Sequence, residues 1–289
     1  MQVRQNTCRE TGPQERTALN IVGRGLHRQS DSVAERSIEQ GQALAAELVA
    51  LRVAVIVAIG GPAVQAAMQA TRQIPIVFQI GADPAGLGLV DSLARPGGNA
   101  TGINLHLVEL TPKRLGLLRE LMPNLRTVAV LRNPAQPAAN SQLAGVQSAA
   151  RGIGLTLKIL EASKNEDIER AFARLAEQRP QALLVESDVL FFTRRAQIVA
   201  LAAQHAIPAI YDSSMFVAAG GLVSYGPEMR AAIRPLGVYT ARILGGARPA
   251  DLPVQQPTRF ELVINLKTAR ALGLTIPPTI LARADEVIE

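Results

Sequence analysis

The sequence predicts an α/β fold of two similar halves, each built on a mostly parallel sheet. Three observations lead there. Short, continuous apolar runs rich in β-branched residues recur, the pattern of parallel strands covered on both faces. Helical stretches alternate with them at intervals of roughly 25–30 residues, the signature of βαβ units. Glycine, proline or a small polar residue stands just past most of the strands.

Val53–Ala58 is the first clear strand. It ends in Gly60-Gly61-Pro62, and Ala63–Ala70 reads as a helix with proline in its first turn, where the missing amide costs nothing. Ile74–Phe78 is a second buried strand, ending in Gly81-Ala82-Asp83-Pro84, with a further helix expected after it. Before this pair, Ala43 to Leu51 forms a helical apolar stripe. After it, Arg95–Asn99 is a turn and Ala100–Leu105 a strand. Thr111, a plausible N-cap, and Pro112 open a helix that runs through Leu121. Strands at 127–131, 155–160, 182–185, 209–211 and 222–225 then alternate with helices at 138–151, 165–177, 190–203 and 230–244. Met215–Ala219 reads as an apolar turn. Residues 53–105 form one series and 127–211 a second, joined by Leu105–Thr111. The tail adds a strand at 260–264 and a helix at 267–272, and its prolines mark it as a wrapping segment.

Composition narrows the function classes. The chain has 289 residues, 48% of them hydrophobic but only 3% aromatic, and no tryptophan. The core is therefore aliphatic. The net charge of +6 is almost all arginine. No basic run exceeds two residues and no aromatics are interleaved with it, so the charge reads as arginine bias rather than a nucleic-acid surface. The single cysteine, Cys8, excludes an internal disulfide and a cysteine-based metal cluster. No apolar run is long enough to span a bilayer. The polar, arginine-studded residues 1–36 hold no signal-peptide core, so the chain as given lacks a signal peptide.

Enzyme signatures are missing. No strand-to-helix turn carries G-x-G-x-x-G, and there is neither a phosphate-binding P-loop nor a nucleophile elbow. His27, His106 and His205 have no ligand spacing between them, so no metal and no cofactor is expected. What recurs is a polar residue past each strand: Asp83, Asn133, the triplet Glu186-Ser187-Asp188, Asp212, and Ser224-Tyr225. In open α/β sheets ligands bind beyond the carboxyl ends of the strands. The strand-to-helix loops at Gly60, Gly61, Pro62, Ala63 and at Gly81, Ala82 present free helix N-terminal amides that would suit an anionic group, and the carboxylates would suit an ammonium. Taken singly, each of these residues is as well explained as an ordinary N-cap of a βα loop. Taken as a set, they describe a cleft that holds a small zwitterion. Tyr211, Tyr225 and the pair Phe191-Phe192 are the aromatic candidates.

The stretches VAVIVAIGGPA, IPIVFQIGADPAGLGLV, ELTPKRLGLLRELMP, ALLVESDVLFFTRRAQIVALAAQHAIPAIYD and GGLVSYGPEMR resemble the ABC transporter substrate-binding proteins of the tryptophan/tyrosine-type uptake group, as does the tail from Pro253. The resemblance implies a type I periplasmic-binding-protein fold, with two Rossmann-like lobes, three crossovers and closure about a hinge. It implies a receptor that clamps an amino acid or related carboxylate without chemistry, delivers it to a membrane ABC permease, and works in the periplasm or outside the cell. The expected division is an atypical segment 1–40, a first lobe of 41–106 plus 226–289, and a second lobe of 107–225. Three departures stand out. Gly61 is followed directly by Pro62 where a Thr or Ser is usual, the second loop reads Gly81-Ala82-Asp83-Pro84 where Gly-Gly-Asp-Pro is usual, and residues 1–36 do not resemble the expected signal peptide and first strand-helix unit. A cytoplasmic ligand-sensing regulator of the same fold is the alternative reading, and a Rossmann-type enzyme a more distant one.

Overall fold

A computed structural model describes residues 19–20, 38–136 and 139–289 of the chain. The expectation of an atypical segment 1–40 falls almost entirely outside them.

The first sheet has four parallel strands in sequence order: β1 (Leu19–Asn20), β2 (Ile56–Ile59), β3 (Ile76–Ile80) and β4 (Ala100–Asn104). Its strands are apolar on both sides because both sides are covered. Ile56, Ala58, Ile76 and Phe78 pack with α1 (Ile38–Ala50) and α2 (Gly61–Ala70). Val57, Val77 and Ile103 pack with Leu236, Tyr239 and Ile243 of α9 (Met229–Leu244). The far edge of β4 is closed by Gln255, which exchanges backbone bonds of 2.9 Å with Asn104 and Gly102.

The second sheet has seven strands. β5 (Thr127–Arg132), β6 (Thr156–Glu161), β7 (Ala182–Val185), β8 (Ala209–Tyr211) and β9 (Val223–Pro227) are joined by β10 (Phe260–Asn265) and β11 (Glu286–Ile288) in the order β11-β10-β9-β8-β7-β5-β6. Only β9 and β10 run antiparallel. One face carries α3 (Thr111–Leu121), α4 (Ala139–Gly152), α10 (Leu266–Ala271) and α11 (Pro278–Leu281). The other carries α5 (Asn165–Gln178), α6 (Val189–Thr193), α7 (Arg195–Gln204) and α8 (Ser214–Ala218). In α5, Ile168, Ala171, Phe172 and Leu175 fall at i, i+3, i+4 and i+7, the spacing that puts an apolar stripe on one helix face.

The chain passes between the sheets three times, at residues 105–110, 228 and 256–259. Here the expected division needs correcting. Residues 260–289 belong to the second sheet, not with 41–106. β9 would otherwise be an open edge, and β10 fills it with Leu262 and Ile264 facing the core under α3. Local expectations also shift. No helix follows Asp83-Pro84, because Gly86 and Gly88 (φ +68°) turn the chain away from helical geometry. Helix α3 starts at Thr111, with no side-chain cap. The helix expected at 190–203 is two, α6 and α7, meeting at Arg194. The apolar turn at 215–219 is the short helix α8. Among the described residues no helix is long and apolar enough to cross a membrane.

Candidate functional site

The carboxyl ends of the two sets of strands face each other. Gly60, just past β2, lies against Val189, the first residue of α6: a Cβ built on Gly60 would sit 2.6 Å from Val189 Cγ2. Gly60 has φ +87° and ψ 151°, a conformation open in practice only to glycine. Its N–H donates to Gln79 O at 2.9 Å. Helix α2 begins immediately after it with no side-chain cap, and Pro62 brings no donor. The first-turn amides of Gly61 and Ala63 are thus the donors this helix presents at the contact between the halves.

Opposite them stands a group of carboxylates. Asp188 caps α6, accepting from Leu190 N at 2.7 Å through Oδ1. Its Oδ2 accepts from Asn133 Nδ2 at 3.1 Å and from Gln136 Nε2. Burial pushes its pKa up, and these hydrogen bonds oppose the rise. Glu186, only 7% exposed, has no partner for Oε1. Burial raises its pKa from 4.5 to about 7, against the pull of Arg132 and Arg114 and with a push from Asp188. Asp212, past β8, is likewise raised by burial and opposed chiefly by Arg114. Among the described residues no three His, Cys, Asp or Glu side chains form a metal-binding group. Both buried guanidiniums act on Glu186 and Arg114 acts on Asp212, while Asp188 is held by neutral side-chain and backbone amides.

Asp83 is exposed, and both its oxygens are taken by the turn amides of Ala85 and Gly86 at 3.0 and 3.1 Å. The capping explanation describes it fully. Gly81 packs under Leu107, and its carbonyl accepts from Val108 N at 3.3 Å, so Gly81 and Ala82 lie where the first crossover begins. Ser187 is half-buried between Glu186 and Asp188. Ser224 is fully buried in β9 with its hydroxyl unpartnered. Tyr225 turns its ring toward Phe260, with centroids 6.4 Å apart, and toward Lys113. Tyr211 is core, stacked on Phe216 at 4.6 Å. Phe191 is fully buried, and Phe192 packs edge-on to Phe216 with Arg195 over its ring.

Sequence reasoning missed Arg114 and Arg132. Arg114 is 0% exposed; Arg132 donates Nη2 to Ala139 O at 2.7 Å and Nη1 to Glu161 at 3.1 Å. The signal was a charge inside an apolar pattern. Arg114 shares a face with Thr111, Leu115 and Leu118, all buried at helical spacing. Arg132 ends a strand whose last five residues are all buried.

The chain is similar to several known proteins. The tyrosine-binding protein of Clostridioides difficile (strain R20291) is 27% identical over 241 residues, covering 83% of this chain and 69% of that one. The solved ABC domain in complex with L-Trp from Streptococcus pneumonia is 27% identical with a TM-score of 0.79, over 87% of this chain and 86% of that one. A conserved domain protein from Vibrio cholerae O1 biovar eltor is 30% identical with a TM-score of 0.80, over 87% and 84% of the two chains. A LacI family transcriptional regulator from Bifidobacterium animalis subsp. lactis shares the fold alone, at 15% identity and a TM-score of 0.55 over 78% and 81%. Residues 28–288 match the family described as ABC transporter substrate binding protein. The chain belongs to that family of non-catalytic solute receptors, with a type I periplasmic-binding fold.

Proposed function

We propose that this receptor takes an α-amino acid with an aromatic side chain between its two halves. The observation that carries the reading is the opposition of two chemistries across one contact. The amide end of α2 suits a carboxylate. Glu186, Asp188 and Asp212 suit an ammonium, which would favour their ionised forms against burial. Val189 and Met215, 46% and 43% exposed at the starts of α6 and α8, offer apolar contact for a side chain. The tyrosine and L-Trp named for two relatives support an aromatic one. Gly60 to Ala63, Asn133, Glu186 to Asp188 and Asp212 are the residues assigned to the ligand. Gly81, Ala82, Ser224 and Tyr225 are assigned to its surroundings at the crossovers. On this reading the protein works outside the cytoplasm and hands its ligand to an ABC permease in the membrane, as the family implies.

Thermal unfolding with L-tyrosine, L-tryptophan and L-phenylalanine tests this. A ligand at 100 times its Kd stabilises by about 2.7 kcal/mol. Tyramine lacks the carboxylate and 3-(4-hydroxyphenyl)propionate lacks the ammonium, so each should bind far more weakly. Equal stabilisation by the amine-free acid would refute the assignment of the carboxylate group, and silence from all three amino acids would refute the ligand class.

A further inference from the structure

Arg114 uses its buried donors in an unusual way. Nη1 donates to Leu107 O at 3.0 Å, in the first crossover. Nε donates to Tyr225 O at 2.8 Å, near the end of β9 and just ahead of the second crossover. The remaining arm, Nη2, is buried without a partner among the described residues. Asp212 and Glu186 lie near enough to act on the charge. A buried guanidinium is costly, and keeping one is favourable only where its fork makes bonds an apolar side chain cannot.

The crossovers are otherwise held in a particular way. The second and third are fastened chiefly by backbone: β9 pairs with β10, and Glu228 N donates to Arg259 O at 3.1 Å, beside an ion pair of the same two side chains at 3.8 Å. The first crossover is tied to the first half, through Val108 N to Gly81 O and His106 N to Asn104 Oδ1. A backbone bond from Asn104 N to Gln255 O joins its root to that of the third crossover, and the Arg114 fork links it by hydrogen bonds to β9. We propose that Arg114 is a positioning residue, a staple that joins the first crossover to the other two so that the hinge turns as one piece when the halves close on a ligand. From the same position its charge acts on Glu186 and Asp212, in a group that also contains Arg132 and Asp188. Hinge and carboxylates thereby share one side chain.

The test uses the full chain with Cys8→Ser and spin labels at Gln65→Cys in α2 and Ala196→Cys in α7, both exposed positions. Pulsed dipolar spectroscopy then reads the distance between the halves without ligand. Arg114→Met should broaden that distance distribution markedly. It should also weaken L-tyrosine or L-tryptophan by about tenfold. Arg114→Lys keeps the charge but not the planar fork. It should broaden the distribution as well, while leaving the low-pH loss of affinity where the wild type has it. In Arg114→Met that loss should move to higher pH. If the methionine variant does not fold, the lysine variant decides. A folded variant of either kind with the wild-type distribution overturns the proposal. The affinity arm rests on the proposed ligand class. Should the wild type bind neither amino acid, that class fails, and the ligand-free distances still judge Arg114.

Discussion

Glu186 gives the sharpest quantitative expectation. Its carboxyl is almost wholly enclosed, with one oxygen unpartnered, and burial lifts its pKa from 4.5 to about 7. The folded protein therefore holds this proton more tightly than the unfolded chain does. For a group whose pKa rises on folding, stability is fully present below the unfolded value and is lost as pH climbs through the folded one. The window runs from pH 4.5 to about 7. One pK unit corresponds to ~1.4 kcal/mol, so the loss across the window is about 3 kcal/mol. Glu186→Gln keeps the shape of the protonated form and removes the titration. Urea unfolding of both proteins without ligand, at pH 5 and at pH 8, measures the difference. The wild type should lose roughly 2–3 kcal/mol more than the variant between the two conditions. Asp188 and Asp212 are raised in the same direction and are present in both proteins, so their own burial cancels and only the repulsion between Asp188 and Glu186 stays within the difference. Parallel pH dependences in the two proteins would show that Glu186 is not held protonated by burial. Addition of a ligand bearing an ammonium should reverse the trend, because it stabilises the ionised carboxylate.

Gly60→Ala should destabilise by about 1–3 kcal/mol from its backbone conformation alone. It should also weaken ligand binding through the collision with Val189 Cγ2, and Val189→Ala should restore the affinity but not the stability, as denaturation and titration together would reveal. Asp188→Ala removes the cap of α6 and strands the amides of Asn133 and Gln136. About 1–2 kcal/mol of stability should go with it by urea unfolding. A loss below a few tenths would mean that the cap and the two amide bonds do not act together.

Much of the architecture was legible because buried parallel strands announce themselves. IVAI in β2 is a continuous apolar run, IVFQI in β3 is interrupted only by Gln79, and each strand is covered on both faces. The loops past β2, β5, β7 and β8 also fell where the sequence placed them, since Gly, Asn and Asp are what strand-to-helix turns require. The expected residues Asn133, Glu186, Asp188 and Asp212 do converge. Asp83 does not, because an Asp before a tight turn has its own backbone as the nearest donor. Arg114 escaped notice because its acceptors are remote: Tyr225 lies 111 positions further along the chain.

The fold class and the rim on which the polar residues gather were already written in the sequence, through periodicity and turn chemistry that act within a dozen residues. The family came from the resemblance of whole stretches. Tertiary structure alone decided that β10 and β11 extend the second sheet, that Glu186 shares its charge with Arg114 and Arg132, and that Val189 closes against Gly60. Strand pairing, desolvation and charge coupling are set by groups brought together from distant parts of the chain, and no local pattern encodes which partner each one meets.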